Sequence, residues 1–281
     1  MHPADSTRAR DSRSRLEAAL ASRELDLAAA ALAIAADEYP DLDDWAVGHQ
    51  LDALAAEVRA FTPASGKLEA QLGALTQVLG QGHGFRGNVQ AYGDPRNSFL
   101  NEVLSRKVGI PISLSLLYQE VAKRAGMVLS GVAFPGHFLV SAEQGEKRIV
   151  LDPFHGGVKV GPDALRKLLA RTAPGVAFSP HLLRPASNRQ IVYRMLTNLK
   201  HVYLAAEDWP RALRIVQLLL VVAPEHPGEL RVRASVFQSL GAFGAALDDV
   251  QHCLALSPDA PDASVLRWTA QALASRAGWR S

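Results

Sequence analysis

One cysteine, Cys253, is all the thiol the chain has, which excludes an internal disulfide and any cysteine-built metal cluster. Aromatic residues are scarce at 6%, and charge is nearly balanced, with a formal net of +2. There is no dense Lys/Arg tract with interleaved aromatics, so nucleic acid is not expected as a partner. Apolar runs long enough to cross a bilayer without interrupting charges are missing too, and no membrane partner is expected. The opening residues, MHPADSTRARDSRSR, contain no apolar stretch. They read as neither a signal peptide nor an anchor, and residues 1–13 are expected to form a flexible tail. With no leader and no span, the expected location is the cytoplasm.

What the chain does have is alanine and leucine, within a hydrophobic content of 48%, and that mixture favours helices. Leu16, Leu20, Leu27, Ala31 and Ile34 recur at helical spacing, which predicts one helix from Ser14 to Glu38, stopped by Tyr39-Pro40. A second helix is predicted from Leu42 to Phe61, with Trp45, Leu51, Leu54 and Val58 inward and Asp43, Asp44, Asp52 and Glu57 facing water. A third covers Lys67 to Leu79. The run that follows, GQGHGFRGN, permits positive φ and close backbone approach. It lacks the lysine and the preceding strand of a phosphate loop, and His83 within it reads as an exposed loop histidine. Next comes a short helix in DPRNSFLNEVLSRKVG, with Asn97 and Ser98 as capping candidates. Asn101 and Glu102 are adjacent there, about 100° apart on the helix, so at most one faces a cleft squarely.

The stretch from Gly109 to Gly157 organises the rest. Pro111 opens a long helix at the position where its missing N–H costs nothing, and Leu114, Leu117, Tyr118, Val121 and Ala125 give it a wide inward stripe. Extended runs follow over Val128–Phe134, His137–Ser141 and Arg148–Asp152, rich in β-branched and aromatic residues, which predicts a small antiparallel sheet packed on that helix. Pro135-Gly136 breaks the first run just before His137. A turn at Gln144-Gly145 pairs Phe138 with Leu151, Leu139 with Val150 and Val140 with Ile149. It also sets His137 opposite Asp152, with Cβ atoms roughly 5 Å apart. A carboxylate there holds an imidazole in one tautomer and stabilises its protonated form; a purely structural hydrogen bond between the two residues remains the alternative.

A nucleophile is harder to find. Ser113 and Ser115 lie in the first turn of the long helix, among unpaired N–H groups and the positive end of the dipole. That setting activates a cysteine as thiolate, but a serine needs His137 as general base. Ser113 reads either as that nucleophile or as a capping residue. His155 reads as a turn residue or a second site histidine. A metal site using His137, Asp152 and His83 or His155 has no ligand spacing to enforce it, so neither a metal nor a cofactor is expected.

Beyond a short helix in PDALRKLLA and a proline-spotted connector lies a repeat. Tyr203, Trp209, Ala212, Leu213, Leu220 and Pro224 recur 34 positions later as Phe237, Phe243, Ala246, Leu247, Leu254 and Pro258. This period, with small residues at the helix contact and proline after the second helix, is the tetratricopeptide signature. Two repeats cannot bury their faces alone, so Asn188–Leu199 and Ala263–Ala274 are expected as flanking helices. Cys253 falls in the second helix of the second repeat, as a packing residue.

Together, NSFLNEVLSRKVGIPISLSLLYQEVAKRAG, PGHFLV and LDPFHGG resemble the SirB-type family, which joins a transglutaminase-like core to C-terminal tetratricopeptide-like repeats. The resemblance covers Asp94 to Gly157, and the repeat extends it from Asn188 onward. It implies an α+β, mostly helical fold: a papain-like core with a central helix on a small antiparallel sheet, followed by an all-α repeat array. The domain bounds that follow are 14–185 for the N-terminal helices with the core and 186–281 for the repeats. It implies the histidine position at His137 and the aspartate position at Asp152. The nucleophile position falls near Pro111 to Ser113, where no cysteine stands. Asn97, Asn101, Pro111, Pro135 and Gly136 are expected to line the cleft. Two functions fit: a protein or peptide-binding pseudoenzyme, or an amide hydrolase or acyl transferase using Ser113, His137 and Asp152.

Overall fold

The computed structural model describes residues 3–63, 66–145 and 147–278, with residues 3–10 described by backbone alone. Two compact units emerge, Met1–Met195 and Leu196–Ser281, with the division falling inside one helix. The architecture is the mostly helical α+β arrangement that the sequence implies: helices and small sheets first, an all-helical array second.

The first unit opens with α1 (Pro3–Ala21), so the backbone is already helical within the stretch expected as a tail. The single helix expected up to Glu38 is instead two. The chain leaves α1 after Ala21 and restarts as α2 (Leu27–Ala35), where the Asp26 carboxylate accepts from Ala29 N at 2.9 Å. That N-cap satisfies a donor that would otherwise be orphaned at a helix start. Helix α2, LAAAALAIA, is buried on nearly every side, as an apolar sequence without a polar face must be. In α3 (Asp44–Phe61) the buried stripe is Val47, Leu51, Leu54, Ala55 and Val58. Trp45, expected inward, is 72% exposed. It precedes Val47 by two positions, roughly 200° around the helix, and packs edge-on against His49 at 3.9 Å between centroids.

Helix α4 (Leu68–Thr76) runs on into a π-helical turn over Gln77–Gly82, which takes up the first part of the glycine-rich run. The chain then forms β1 (Arg86–Gly87), a 3-10 turn at Pro95–Ser98, α5 (Leu100–Arg106) and β2 (Val108–Gly109). Strands β1 and β2 pair in parallel, Arg86 with Val108 and Gly87 with Gly109. Central helix α6 (Pro111–Arg124) is buried from Pro111 to Ala122. Its buried Glu120 is held by Arg124, whose guanidinium also reaches Asp52 at 3.2 Å.

Four strands lie beside α6 in the order β3 (Ser130–Val132), β4 (Leu139–Gln144), β5 (Lys147–Asp152) and β6 (Val158–Lys159), each antiparallel to the next. The hairpin register departs from the expected one. Val140 faces Leu151, Ala142 faces Ile149 and Gln144 faces Lys147, a displacement of two residues. Gln144 continues the ladder, and Gly145, at φ +61, takes the turn. Because side chains alternate with a period of two, this shift changes partners but leaves each residue on its expected face. Helix α7 (Pro162–Thr172) closes one side, with Leu165, Leu168 and Leu169 packed on Val132, Phe134, Leu139 and Val150.

The second unit takes the part of α8 (Asn188–Ala205) from Leu196 onward, then α9 (Trp209–Val222), α10 (Pro227–Ser239), α11 (Phe243–Leu256) and α12 (Ala263–Gly278). The flanking helices expected from the repeat are α8 and α12. Val216, Leu230, Ala234, Ala246, Val250, Cys253 and Leu266 form one cluster. Asp249, in α11, holds Arg233 of α10 at 2.6 Å and 2.8 Å.

Candidate functional site

His137 lies outside the hairpin ladder, just before β4. Phe134–His137 is a turn closed by His137 N donating to Phe134 O at 2.9 Å, with Gly136 at φ +67. The turn has no room for a side chain at Gly136, where a Cβ would lie 2.6 Å from Thr172 O. Thr172 also donates its hydroxyl to Pro135 O at 2.7 Å, so α7 clamps the turn that aims His137. At the other end of the hairpin, Asp152 closes β5. It accepts from Phe154 N at 3.0 Å as the cap of the 3-10 turn Pro153–His155.

The two residues meet. His137 Nε2 is 3.0 Å from both carboxylate oxygens of Asp152, and both side chains are buried. The histidine ring stands edge-on to Phe154, at 85° and 5.8 Å between centroids. Phe154 in turn fills the space above Gly87, where any Cβ would overlap its ring. The small parallel sheet thus braces the turn behind the pair. Burial pushes the Asp152 carboxyl up, but the hydrogen bonds and charges of His137 and His155 outweigh it and hold it below the usual carboxylate range.

His155 is the member that the sequence leaves ambiguous, and it is both a turn residue and a neighbour of the pair. Its Nδ1 sits 2.7 Å from Asp152, and its side chain is 48% exposed. The signal was present as Asp-x-x-His with proline at the start of the turn, since one 3-10 turn brings positions three apart onto one side. His83 does not join them. Its Nε2 pairs with Glu57 at 2.8 Å, away from Asp152.

Ser113 is placed differently. Its hydroxyl donates to Asn97 O at 2.6 Å and accepts from Ile110 N at 3.1 Å, and the residue is 1% exposed. That is the capping arrangement, and among the described residues no hydrogen bond joins Ser113 to His137. Ser115 is the serine beside the histidine's strand, donating to Phe138 O at 3.4 Å. Pro111 is buried at the head of α6, which leaves no nucleophilic side chain at that position.

Of the residues expected to line a cleft, Pro135 and Gly136 form the turn before His137. Asn97 is fully buried, donating to Ala91 O at 2.7 Å and accepting from Asn88 at 3.0 Å. It therefore does not cap α5, whose N-cap is Phe99. Asn101 is half-buried, its side-chain oxygen without a hydrogen-bond partner among the described residues. Tyr118, read as core, contributes a fully buried hydroxyl that likewise lacks a partner. Its phenol is pushed up by burial and by the charge of Asp152. A Cβ at Gly157 would lie 2.8 Å from that hydroxyl.

Two cavities adjoin these elements without containing the pair. One, of about 390 Å³, lies between α4 and the β5–β6 edge and is lined by Leu72, Thr76, Ile149, Leu151, Gly157 and Val158. The other, of about 450 Å³, is lined by Glu57, Phe61, Val78 and His83.

Residues 46–197 match a family model described as transglutaminase-like superfamily, and residues 199–271 match one described as tetratricopeptide repeat. The chain is 38% identical over 251 residues to a UPF0162 protein of Xylella fastidiosa (strain Temecula1), covering 86% of this chain and 88% of that one. A UPF0162 protein of Vibrio cholerae is 34% identical over 206 residues, covering 73% and 76%. F-box only protein 21 of Homo sapiens is 42% identical over 89 residues, which are 31% of this chain and 14% of that protein. No solved structure matches the chain.

Proposed function

The chain belongs to the transglutaminase-like superfamily, and from that premise we propose that it is a SirB-type pseudoenzyme, a cytoplasmic module that binds a protein or peptide. The observation that carries this reading is the start of α6. Pro111 stands where a thiol would be activated, and the Ser113 hydroxyl is spent on Asn97 O and Ile110 N. A serine whose proton is already donated to a backbone carbonyl is not poised to give it to an imidazole. The His137–Asp152 pair then serves recognition and structure. The tetratricopeptide units offer a second surface of a kind suited to protein partners. On this reading the core with its N-terminal helices occupies residues 14–185 and the array 186–281. Of the residues expected to line the cleft, Asn101, Pro135 and Gly136 retain exposure and belong to it on this reading, whereas Asn97 and Pro111 are buried and support it from within.

A serine-reactive fluorophosphonate probe and a phage-displayed peptide library test this together. The expected result is no labelling of the folded chain, with enriched peptides that bind Ser113→Ala as well as they bind the wild type. Labelling at Ser113 that disappears in His137→Ala would overturn it. The second reading, an amide hydrolase or acyl transferase with Ser113 as nucleophile, His137 as base and Asp152 as orienter, is favoured by the 3.0 Å imidazole–carboxylate contact. It requires Ser113 to exchange its bond to Asn97 O for one to His137.

A further inference from the structure

Asp152 is shared by two imidazoles, and a His–Asp pair by itself does not account for the second. His137 approaches from the turn before β4 and His155 from the turn after β5. The nitrogen atoms that face the carboxylate are Nε2 of the first and Nδ1 of the second. Taken with a carboxylate oxygen, these ligating atoms all lie within 4.8 Å of one another. We propose that His137 Nε2, Asp152 and His155 Nδ1 are the three protein ligands of a divalent transition-metal site, with water in the fourth position.

Donor chemistry selects the class of ion. Two imidazoles and one carboxylate suit zinc, cobalt, nickel or copper, whereas magnesium and calcium take oxygen ligands. Three protein ligands with one open position is the coordination of reactive zinc sites, not of closed structural ones. The geometry asks for a small swing of the half-exposed ring about a carboxylate that already touches both imidazoles. Neighbouring ligand atoms around a tetrahedral ion with bonds of about 2.0–2.1 Å stand about 3.3 Å apart. The present nitrogen–oxygen separations are 2.7–3.0 Å, so these open by a few tenths of an ångström, while the two nitrogens, within 4.8 Å of each other, swing to about the same 3.3 Å spacing. His155 can do so because it is half exposed on a three-residue turn, and its exposed side gives the ion its way in.

The supporting shell is built in. Asp152 is oriented by Phe154 N, and His137 by its near-perpendicular contact with the Phe154 ring. Fully buried Tyr118, whose hydroxyl has no hydrogen-bond partner among the described residues, lies in the field of Asp152. Its O–H is an idle donor within that field, and a donor of this kind can serve as an outer partner to an oxygen ligand. Protons balance through tautomers. Without metal, His137 Nε2–H and His155 Nδ1–H donate to Asp152. An ion takes the lone pairs of those atoms, and each neutral ring carries its proton on its other nitrogen.

The site does not depend on the peptide-binding reading, and its test separates the two. The full-length chain, stripped with a chelator, is titrated with zinc chloride by calorimetry and with cobalt(II) by visible absorption. One ion per chain and the intense visible bands of tetrahedral cobalt are expected. His155→Ala, a change at a half-exposed position, should weaken zinc binding at least about 100-fold, because one of three ligands is gone. His83→Ala should leave it unchanged. Zinc binding that His155→Ala does not weaken, a stoichiometry above one that falls with His83→Ala, or octahedral cobalt spectra would each overturn the proposal. So would the absence of binding up to about millimolar zinc. The cobalt spectrum of the wild type decides the matter even if the His155 variant folds poorly.

Discussion

Asp94 shows how much a single carboxylate does near the head of the central helix. It caps the 3-10 turn through Arg96 N at 2.9 Å and pairs with Arg96 and Arg106 at 2.9 Å and 3.0 Å. Burial raises its carboxyl, but the hydrogen bonds and charges of the two arginines outweigh that and hold it below the usual range. A group whose folded pKa lies below its unfolded value, about 3.9 for aspartate, stabilises the fold above that pH and loses its contribution as pH falls through the folded value. Asp94→Asn keeps a capping oxygen and removes the charge. Urea midpoints from pH 7 downward should therefore show the wild type more stable at neutral pH. The gap should close below about pH 4; one that stayed constant to pH 2 would show that the charge is not responsible. The same scale separates what the sequence discloses from what it hides. Asp94-Pro95 announces a turn by composition, and the extended runs that begin at His137 and end at Asp152 announce a pair. Ser113 is different, since its partner Asn97 O is sixteen positions away. No local pattern tells a capping serine from a nucleophilic one when tertiary packing chooses the acceptor.

Elements tell a similar story through their joints. The glycine-rich run after α4 is visible as permissive backbone, but its purpose is set by a turn more than seventy residues on. Gly80, in the π-helical turn, lies so close to Gly156 that a Cβ would overlap the Gly156 carbonyl oxygen. Backbone cannot move aside as a flexible side chain can, and overpacking of this kind costs about 1–3 kcal/mol, occasionally more. Gly80→Ala should accordingly lower the thermal midpoint, whereas Gly73→Ala, where a Cβ meets nothing within 4 Å, should not. Differential scanning calorimetry of the two variants checks the contrast; equal midpoints would mean that the turn and the Gly156 loop do not approach so closely. If Gly80→Ala also disturbs His155 in the adjoining turn, its imidazole resonances will shift. The hairpin register follows from the same logic. Alternation identifies the faces, which are as expected. The two-residue displacement depends on which residue accepts a left-handed φ, and Gly145 takes that role after Gln144 has joined the ladder.

At the scale of the whole molecule, each unit has its own apolar cluster, one around Val132, Phe134, Leu139 and Leu169 and the other around Val216, Ala234, Val250 and Leu266. The second was legible from the 34-residue period, because a repeat buries only what its neighbours cover. In the first unit the consecutive β3–β5 strands were legible as extended runs, whereas β1, β2 and β6, at two residues each, are too short to show a period. Cys253 turns this division into an experiment. It is the chain's one thiol and fully buried in the second cluster, donating to Pro227 O at 3.5 Å. Burial pushes the thiol up, so the folded chain holds it as the unreactive acid. A disulfide reagent such as Ellman's must wait for that cluster to open, and its rate in the slow-labelling limit reports the free energy of opening. Leu266→Ala removes a neighbour from α12, a change that costs about 2–5 kcal/mol in a packed core and should accelerate labelling at least about 30-fold. Leu139→Ala, also in a packed core but in the sheet of the first unit, should destabilise that unit while leaving the labelling rate within about twofold if the two cores open separately. Acceleration by both variants to the same degree would mean that the chain opens as one cooperative body.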